Sequence, residues 1–485
     1  MLSKKVTFGF YVASILFVCA DILFVILRLN FMAALLPLIA LIVYWSLFFI
    51  DRLILLVVFC TPLSINIFQV PGLGLGQIGI GMALPTEPIM FGIMLLFFLH
   101  IIHSWYDKEI FSHPVSIVIL LSLSWMLVTS YTSTMRFVSL KYFIERMWGV
   151  VTFYFLGVML FKKAKNIYYF NWLYIGAFTL IIIYTLINHS SGHFSEKAAH
   201  IAVKPFYNDH TAYGAILAMF IPVLGGLAIN RKTHPTLRTT AWVLFFVFLG
   251  ALALSYSRAA WLSILAALIV LALMLLRVKF KWILGAFCLG GILLFVYQDR
   301  IIYKLEQNRT DVSQNINDEI ESISNISSDA SNVERLNRWS CAYRMWLDKP
   351  VFGYGPGTYM FKYAPYQLSY MHTIISTNEG NGGNAHNEYL GPLSEEGLLG
   401  MLFMMGIVLS VSALAFRLFY SLKDNEMRIL TISIFLGLVT YFVHGMMNNF
   451  LDTDKAAVPF WGFIGMLVAI DYIDKESKST TTPAN

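Results

Sequence analysis

The sequence predicts an all-α, polytopic membrane protein of about 12–14 transmembrane helices with one large outward-facing loop. Three observations carry that expectation. Of the 485 residues, 58% are hydrophobic and only 13% are charged, about half the charged share of a water-exposed surface. Mean hydropathy is +0.68, which excludes a soluble globular enzyme and a disordered chain. Apolar runs of roughly 20 residues, the length that crosses a hydrocarbon core, recur along the chain. The net charge of +6 would suggest nucleic acid in a soluble protein. Here the basic residues lie in short loops between apolar runs, so the expected surroundings are membrane lipids and no nucleic-acid partner is expected. Cys19, Cys60, Cys288 and Cys341 lack CxxC spacing, and neither a disulfide framework nor a metal site is expected.

In order, the candidate spans are approximately 6–27, 31–49, 53–70, 88–104, 114–131, 147–161, 167–187, 209–229, 240–255, 259–276, 282–297, 396–416, 429–447 and 458–473. The first is too long for a cleavable signal peptide, and a second follows within a few residues. The third is interrupted by Pro62 and runs into PGLGLGQIGIGMALP (71–85), which reads as a re-entrant loop or an interfacial turn. That region sets the range of the count.

Lysine and arginine placement orients the bundle. With Lys4 and Lys5 inside, eighteen of the 34 basic residues fall on the inner side and eight in short outer loops. The other eight lie in the long segment 298–395, and long translocated segments escape the rule. The organisation that follows is an N-terminal transmembrane bundle (1–297), an outer loop domain (298–395), C-terminal transmembrane helices (396–474) and a disordered cytoplasmic tail (475–485). Within the loop, 306–333 is Ser/Asn-rich and acidic and reads as a mobile flap. Over 334–349, Leu336, Trp339, Tyr343 and Trp346 recur at helical steps. Pro350, Gly353, Gly355, Pro356 and Gly357 then end that helix in tight turns.

Polar residues gather at the outward boundary. The densest run is NEGNGGNAHNEYLGPLSEEGLLG (378–400), with His386 and Asn387 ahead of Gly397 and Gly400. A neutral imidazole there could take a proton from an incoming hydroxyl; equally, His386 is an interfacial side chain in a Gly/Asn-rich turn. Arg258, in SYSRAAW (255–261), is a guanidinium at the hydrocarbon edge that matches phosphate oxygens or reaches for water. Arg136, Lys141 and Arg146 in the third outer turn, with Arg335 and Arg338 on the amphipathic helix, make a cationic pocket for a lipid-linked pyrophosphate, or serve singly as headgroup anchors. Tyr207, Asn208, Asp209 and His210 precede a span and can bond sugar hydroxyls, or Asp209 can neutralise an arginine. Asp452 and Asp454 imitate a metal-binding DxD, a pattern too short to carry weight. No P-loop, dinucleotide fingerprint or HExxH is present.

These residues, from about Tyr207 to Gly400, resemble the O-antigen ligase/polymerase family of bacterial envelope glycosyltransferases, most closely the ligases. The ligase histidine motif is His, then Asn, Ser or Gln, nine residues and Gly-x-x-Gly, and His386, Asn387, Gly397 and Gly400 fit it without a gap. The NDH at 208–210, the Ser-Arg-Ala-Ala-Trp turn, and Arg335-x3-Trp339 leading to Pro350-x2-Gly353-x-Gly355 follow in the family's order. The resemblance implies a glycosyltransferase C-type fold of about twelve spans in the bacterial inner membrane, with a periplasmic loop capping the site. It implies a glycan on undecaprenyl pyrophosphate as donor, a lipid A-core sugar hydroxyl as acceptor, inversion, and no cofactor or metal. By carry-over, His386 is the base or orienting group, and Arg258 and Arg335 bind the pyrophosphate. Arg338, Asn387, Lys141, Arg146 and the residues 207–210 would bind substrate. A polymerase using a second lipid-linked repeat as acceptor is the alternative reading, and a lipid-linked sugar transporter is a third. The sequence gives no sign of oligomeric state.

Overall fold

The computed structural model describes residues 40–46, 48–66, 82–103, 108–286, 289–290, 330–368, 376 and 383–481. Two compact units divide the chain, Met1–Val57 and Val58–Asn485, and all chemistry considered below lies in the second. The expected span at 6–27, most of those at 31–49 and 282–297, the acidic stretch 306–329 and the glycine-rich stretch 71–81 fall outside the described residues.

The protein is an all-α polytopic membrane protein; among the described residues nine helices are long and apolar enough to cross a membrane. The expected span at 53–70 is shorter than predicted. Helix α1 (Ile50–Leu63) carries Pro62 in its last turn and stops there, because proline removes a backbone donor and cannot continue the ladder. Ile65–Asn66 then pairs antiparallel with Ala83–Leu84, so the chain leaves and re-enters at one point before α2 (Thr86–His103). Short α3 (Lys108–Ser112) leads to α4 (Pro114–Tyr131), which begins where His113 Nδ1 accepts the Val115 N–H at 3.2 Å and proline occupies the first turn.

The next span is longer than the sequence suggested. It starts at Arg136 as α5 (Arg136–Val150), passes through a π-helical turn, Val151–Phe155, and ends as α6 (Leu156–Phe161). Arg136, Lys141 and Arg146 therefore sit on a helix and not in an outer turn. The π turn is fully buried, and a Cβ on Gly465 would come within 2.9 Å of the Phe153 carbonyl. α7 (Ala164–Ser191), short α8 (Glu196–Ala202), α9 (His210–Ile229), α10 (Pro235–Leu254) and α11 (Arg258–Leu275) follow. Further along the chain come α12 (Ala330–Asp348), short α13 (Tyr359–Lys362), α14 (Leu390–Ser421), α15 (Asn425–His444) and α16 (Asp454–Thr481).

Burial ranks these helices. The most apolar window of α16 is 89% buried in protein, whereas that of α10 is 22% buried, so α16 is central and α10 faces lipid. Small residues let α9 and α15 approach closely: a Cβ on Gly226 would meet Ser433 Cβ at 2.5 Å, and one on Gly437 the Met219 carbonyl at 2.5 Å. The tail expected to be disordered from 475 instead continues α16 to Thr481. Pairs at i,i+4 support it, Lys475 with Asp471 at 3.0 Å and Lys478 with Asp474 at 2.5 Å.

Two glycine motifs explain each other. α14 breaks at Gly397, whose φ is +72°, and the turn 350–357 fills the break. The Tyr354 and Gly355 N–H groups donate to the Ser394 and Glu395 carbonyls, the Leu398 N–H donates to the Pro350 carbonyl, and Trp125 Nε1–H donates to the Glu396 carbonyl. Backbone groups of Ser394, Glu395, Glu396 and Leu398, at the unwound point of a membrane helix, are thus answered by neighbours. No side chain fits between the two segments: a Cβ on Gly397 would lie 2.1 Å from the Val351 carbonyl, and one on Gly353 2.3 Å from the Glu395 backbone.

Candidate functional site

His386 stands in the loop that enters α14. Its backbone adopts φ +47°, uncommon for a residue with a side chain. The loop over-determines that conformation. Asn384 Oδ1 accepts the His386 N–H at 3.1 Å, and Trp339 Nε1–H reaches the His386 carbonyl at 3.4 Å. Asn387 anchors the next position. Its Oδ1 accepts the Tyr389 and Leu390 N–H groups, capping α14, and its Nδ2 donates to the Met446 carbonyl at 2.7 Å. Glu388 Oε1 accepts from the Tyr441 hydroxyl and the Phe450 and Leu451 N–H groups. Asn387 and Glu388 thus clamp the loop 445–451 and hold the imidazole in place.

The ring opens on a cavity of about 480 Å³, lined also by Tyr207, Asn208, Asp209, Lys141 and Asp452. Burial, reinforced by Arg335 and Arg338, lowers the His386 pKa to about 4, so the imidazole is neutral at pH 7. Asp209 is the N-cap of α9, its Oδ1 accepting from the Thr211 and Ala212 N–H groups and the Thr211 hydroxyl. Burial opposes its ionisation, but those donors outweigh it and hold the carboxyl below the usual aspartate range. Tyr207 packs between Phe178 and Tyr213 at 5.9 and 5.7 Å, and Asn208 is exposed. Lys141 pairs with Glu145 at 3.5 Å.

The cations divide into two groups. Arg335 acts electrostatically on His386, His210 and His444, and Arg258 acts on His210, which ties both guanidinium groups to the histidine side of the site. Arg258 opens α11 after Tyr256, whose φ is +52°. The His210 ring lies against His200, with centroids 3.8 Å apart and the planes tilted by 46°. Arg338, expected to bind substrate, is committed to the fold: its Nε donates to Glu334 at 2.6 Å and its guanidinium lies 4.1 Å over the Tyr363 ring. The buried stripe of α12 is accordingly Asn337, Arg338, Cys341, Ala342 and Met345, not the expected Leu336, Trp339, Tyr343 and Trp346. Small Cys341 and Ala342 let α12 seat against Tyr354, Tyr359 and Tyr363. Arg146 lies apart from the large cavity, donating to the Tyr142 hydroxyl at 2.9 Å beside a smaller one.

His444, at the end of α15 and 1% exposed, escaped the sequence reading because nothing local marks it. Its Nε2 meets Asn448 Nδ2 at 3.2 Å. The two carboxylates of the DxD look-alike both line the large cavity, but only Asp454 is held there by the Ser64 and Thr86 hydroxyls, which donate to it at 2.6 and 2.5 Å. Among the described residues no group of three or more His, Cys, Asp or Glu side chains is arranged to hold a metal ion.

No curated protein matches the chain. A family model described as O-antigen ligase matches residues 243–405, which contain Arg258, Arg335, His386, Gly397 and Gly400. Over that segment the resemblance drawn from the motifs is borne out: the chain is a multi-pass membrane protein whose residues 243–405 are similar to the O-antigen ligase family.

Proposed function

We propose that the protein transfers a polysaccharide from undecaprenyl pyrophosphate to a sugar hydroxyl of lipid A-core, at the periplasmic face of the bacterial inner membrane. The observation that carries this reading is the neutral, positioned imidazole of His386 opening on a roomy polar cavity with Arg335 close enough to perturb it. His386 takes the proton of the acceptor hydroxyl as that oxygen attacks the donor's anomeric carbon. The bond from that carbon to the pyrophosphate oxygen breaks, and its electron pair leaves on the diphosphate. Attack opposite the leaving group inverts the anomeric centre. Arg335 and Arg258 stabilise the charge growing on the diphosphate. His386 then releases its proton to water. The diphosphate is already a good leaving group, so alignment and charge stabilisation suffice.

Detergent-purified protein with lipid-linked glycan and core glycolipid should form a new glycosidic bond, which a transporter would not do. In a deletion strain, free core together with long chains held on undecaprenyl supports ligation. Core bearing a single repeat would replace it with polymerisation. Wild-type surface polysaccharide on cells carrying only His386→Ala would overturn the role of the imidazole.

A further inference from the structure

Beside the His386 cavity lies a second, smaller one of about 60 Å³, and Asn449 lines both. Four polar side chains on its wall keep hydrogen-bonding capacity unused among the described residues. Glu396 is 4% exposed, and its carboxylate makes no hydrogen bond there. Trp461, also 4% exposed, has an unpartnered Nε1–H. The Asn449 Oδ1 is buried without a donor. Arg146 contributes a guanidinium whose one hydrogen bond goes to Tyr142. The neighbouring acids differ: Glu388 is satisfied by Tyr441 and two amides, and Glu395 by the Tyr359 N–H at 2.8 Å.

We infer that this cavity is a subsite for the acceptor glycan, seating one edge of a neutral sugar next to the hydroxyl that His386 activates. The inference rests on the glycosyl-transfer reading above and adds to it a location and a set of contacts. The chemistry is specific. Arg146 and Trp461 offer donors, Glu396 offers an acceptor and Asn449 offers both. A hydroxyl is a small neutral group that answers all of them, because it donates and accepts at once. An ammonium would meet the Arg146 guanidinium. Size sets the limit: about 60 Å³ has room for roughly four waters or for a hydroxymethyl arm and its neighbouring hydroxyl, but not a whole ring. Ionisable side chains with hydrogen-bonding capacity left over inside a helical bundle are expensive, and an incoming polyol would use that of both Glu396 and Arg146.

The test measures binding of deacylated core oligosaccharide to the purified full-length protein, with donor-dependent transfer followed in parallel. Glu396→Gln, Asn449→Ala and Trp461→Phe should each weaken oligosaccharide binding about tenfold or more, as expected for a lost buried or charge-assisted hydrogen bond. They should raise the acceptor KM while leaving the donor KM within twofold. His386→Ala should bind the oligosaccharide as the wild type does while failing to transfer. Undiminished binding in Glu396→Gln and Asn449→Ala, or an effect on the donor KM in place of the acceptor KM, would overturn the subsite and leave the cavity to water alone. No saturable binding to the wild type would do the same. Loss of binding in these variants, with a wild type that forms no glycosidic bond, would instead sink the transfer reading and keep the sugar site. Asn449→Ala removes a side chain with no bonded partner among the described residues, so it reports even if Glu396→Gln fails to fold.

Discussion

A histidine becomes a base only if it is neutral when the substrate arrives. Burial and the two nearby arginines take His386 to about 4. The sign is fixed by the role: the reactive form is deprotonated, so turnover should be level across neutral pH and fall as pH drops through about 4, not near 6.5 as for an unperturbed imidazole. A pH–rate profile of kcat/KM checks this, and an acid limb centred near 6.5 would contradict it. His386→Ala should reduce kcat by at least about 100-fold, the usual worth of a positioned base. Asp209 has a different part. Its carboxylate caps α9 and lies in the cavity wall, so Asp209→Ala should lower stability by about 1 kcal/mol, read as a fall in the melting temperature of the detergent-solubilised protein. Arg338→Ala should act likewise on folding, because it takes the guanidinium away from the buried Glu334 carboxylate.

At the scale of elements, the break in α14 is a joint between the membrane bundle and the loop. Gly353, Gly355 and Gly397 all have positive φ, and none has room for a Cβ. Gly397→Ala would combine a strained backbone with a methyl 2.1 Å from a carbonyl oxygen. The expected result is loss of the folded protein: low yield, aggregation in size-exclusion chromatography and no transfer. A well-behaved, active Gly397→Ala would show that the two segments can separate freely. The histidine motif thus has two physical halves. His386 faces the cavity; Asn387 and the glycines fix the helix entry and the break that aim it.

For the whole molecule, the large cavity with His386 is expected on one side of the membrane, and the Asp471 cluster with His113, Arg417 and Lys475 on the other. Single cysteines at Asn208 and Arg417 in a cysteine-free background separate the two faces. A membrane-impermeant maleimide added to spheroplasts should label the first and spare the second. Labelling of Arg417→Cys alone would invert the orientation and remove the periplasmic assignment. Asn208→Cys is exposed in the cavity wall, so bound acceptor should slow its labelling.

Composition and run length determined the class and the approximate place of nine spans, because a hydrocarbon core imposes its thickness on any chain that crosses it. The expected spans at 53–70 and 88–104 are not among the nine described helices long and apolar enough to cross. The motif order also pointed to the family and to His386, since a glycine that cannot carry a Cβ and a histidine at a fixed distance from it leave a local trace. Tertiary structure alone decided which polar groups had capacity left. Only the folded chain sets Arg338 against Glu334 and Tyr363, and Trp461 and Asn449 read as ordinary residues until no partner met Trp461 Nε1 and Asn449 Oδ1. Hydrogen-bond satisfaction is a property of neighbours distant in the chain, and no local pattern of residues encodes it.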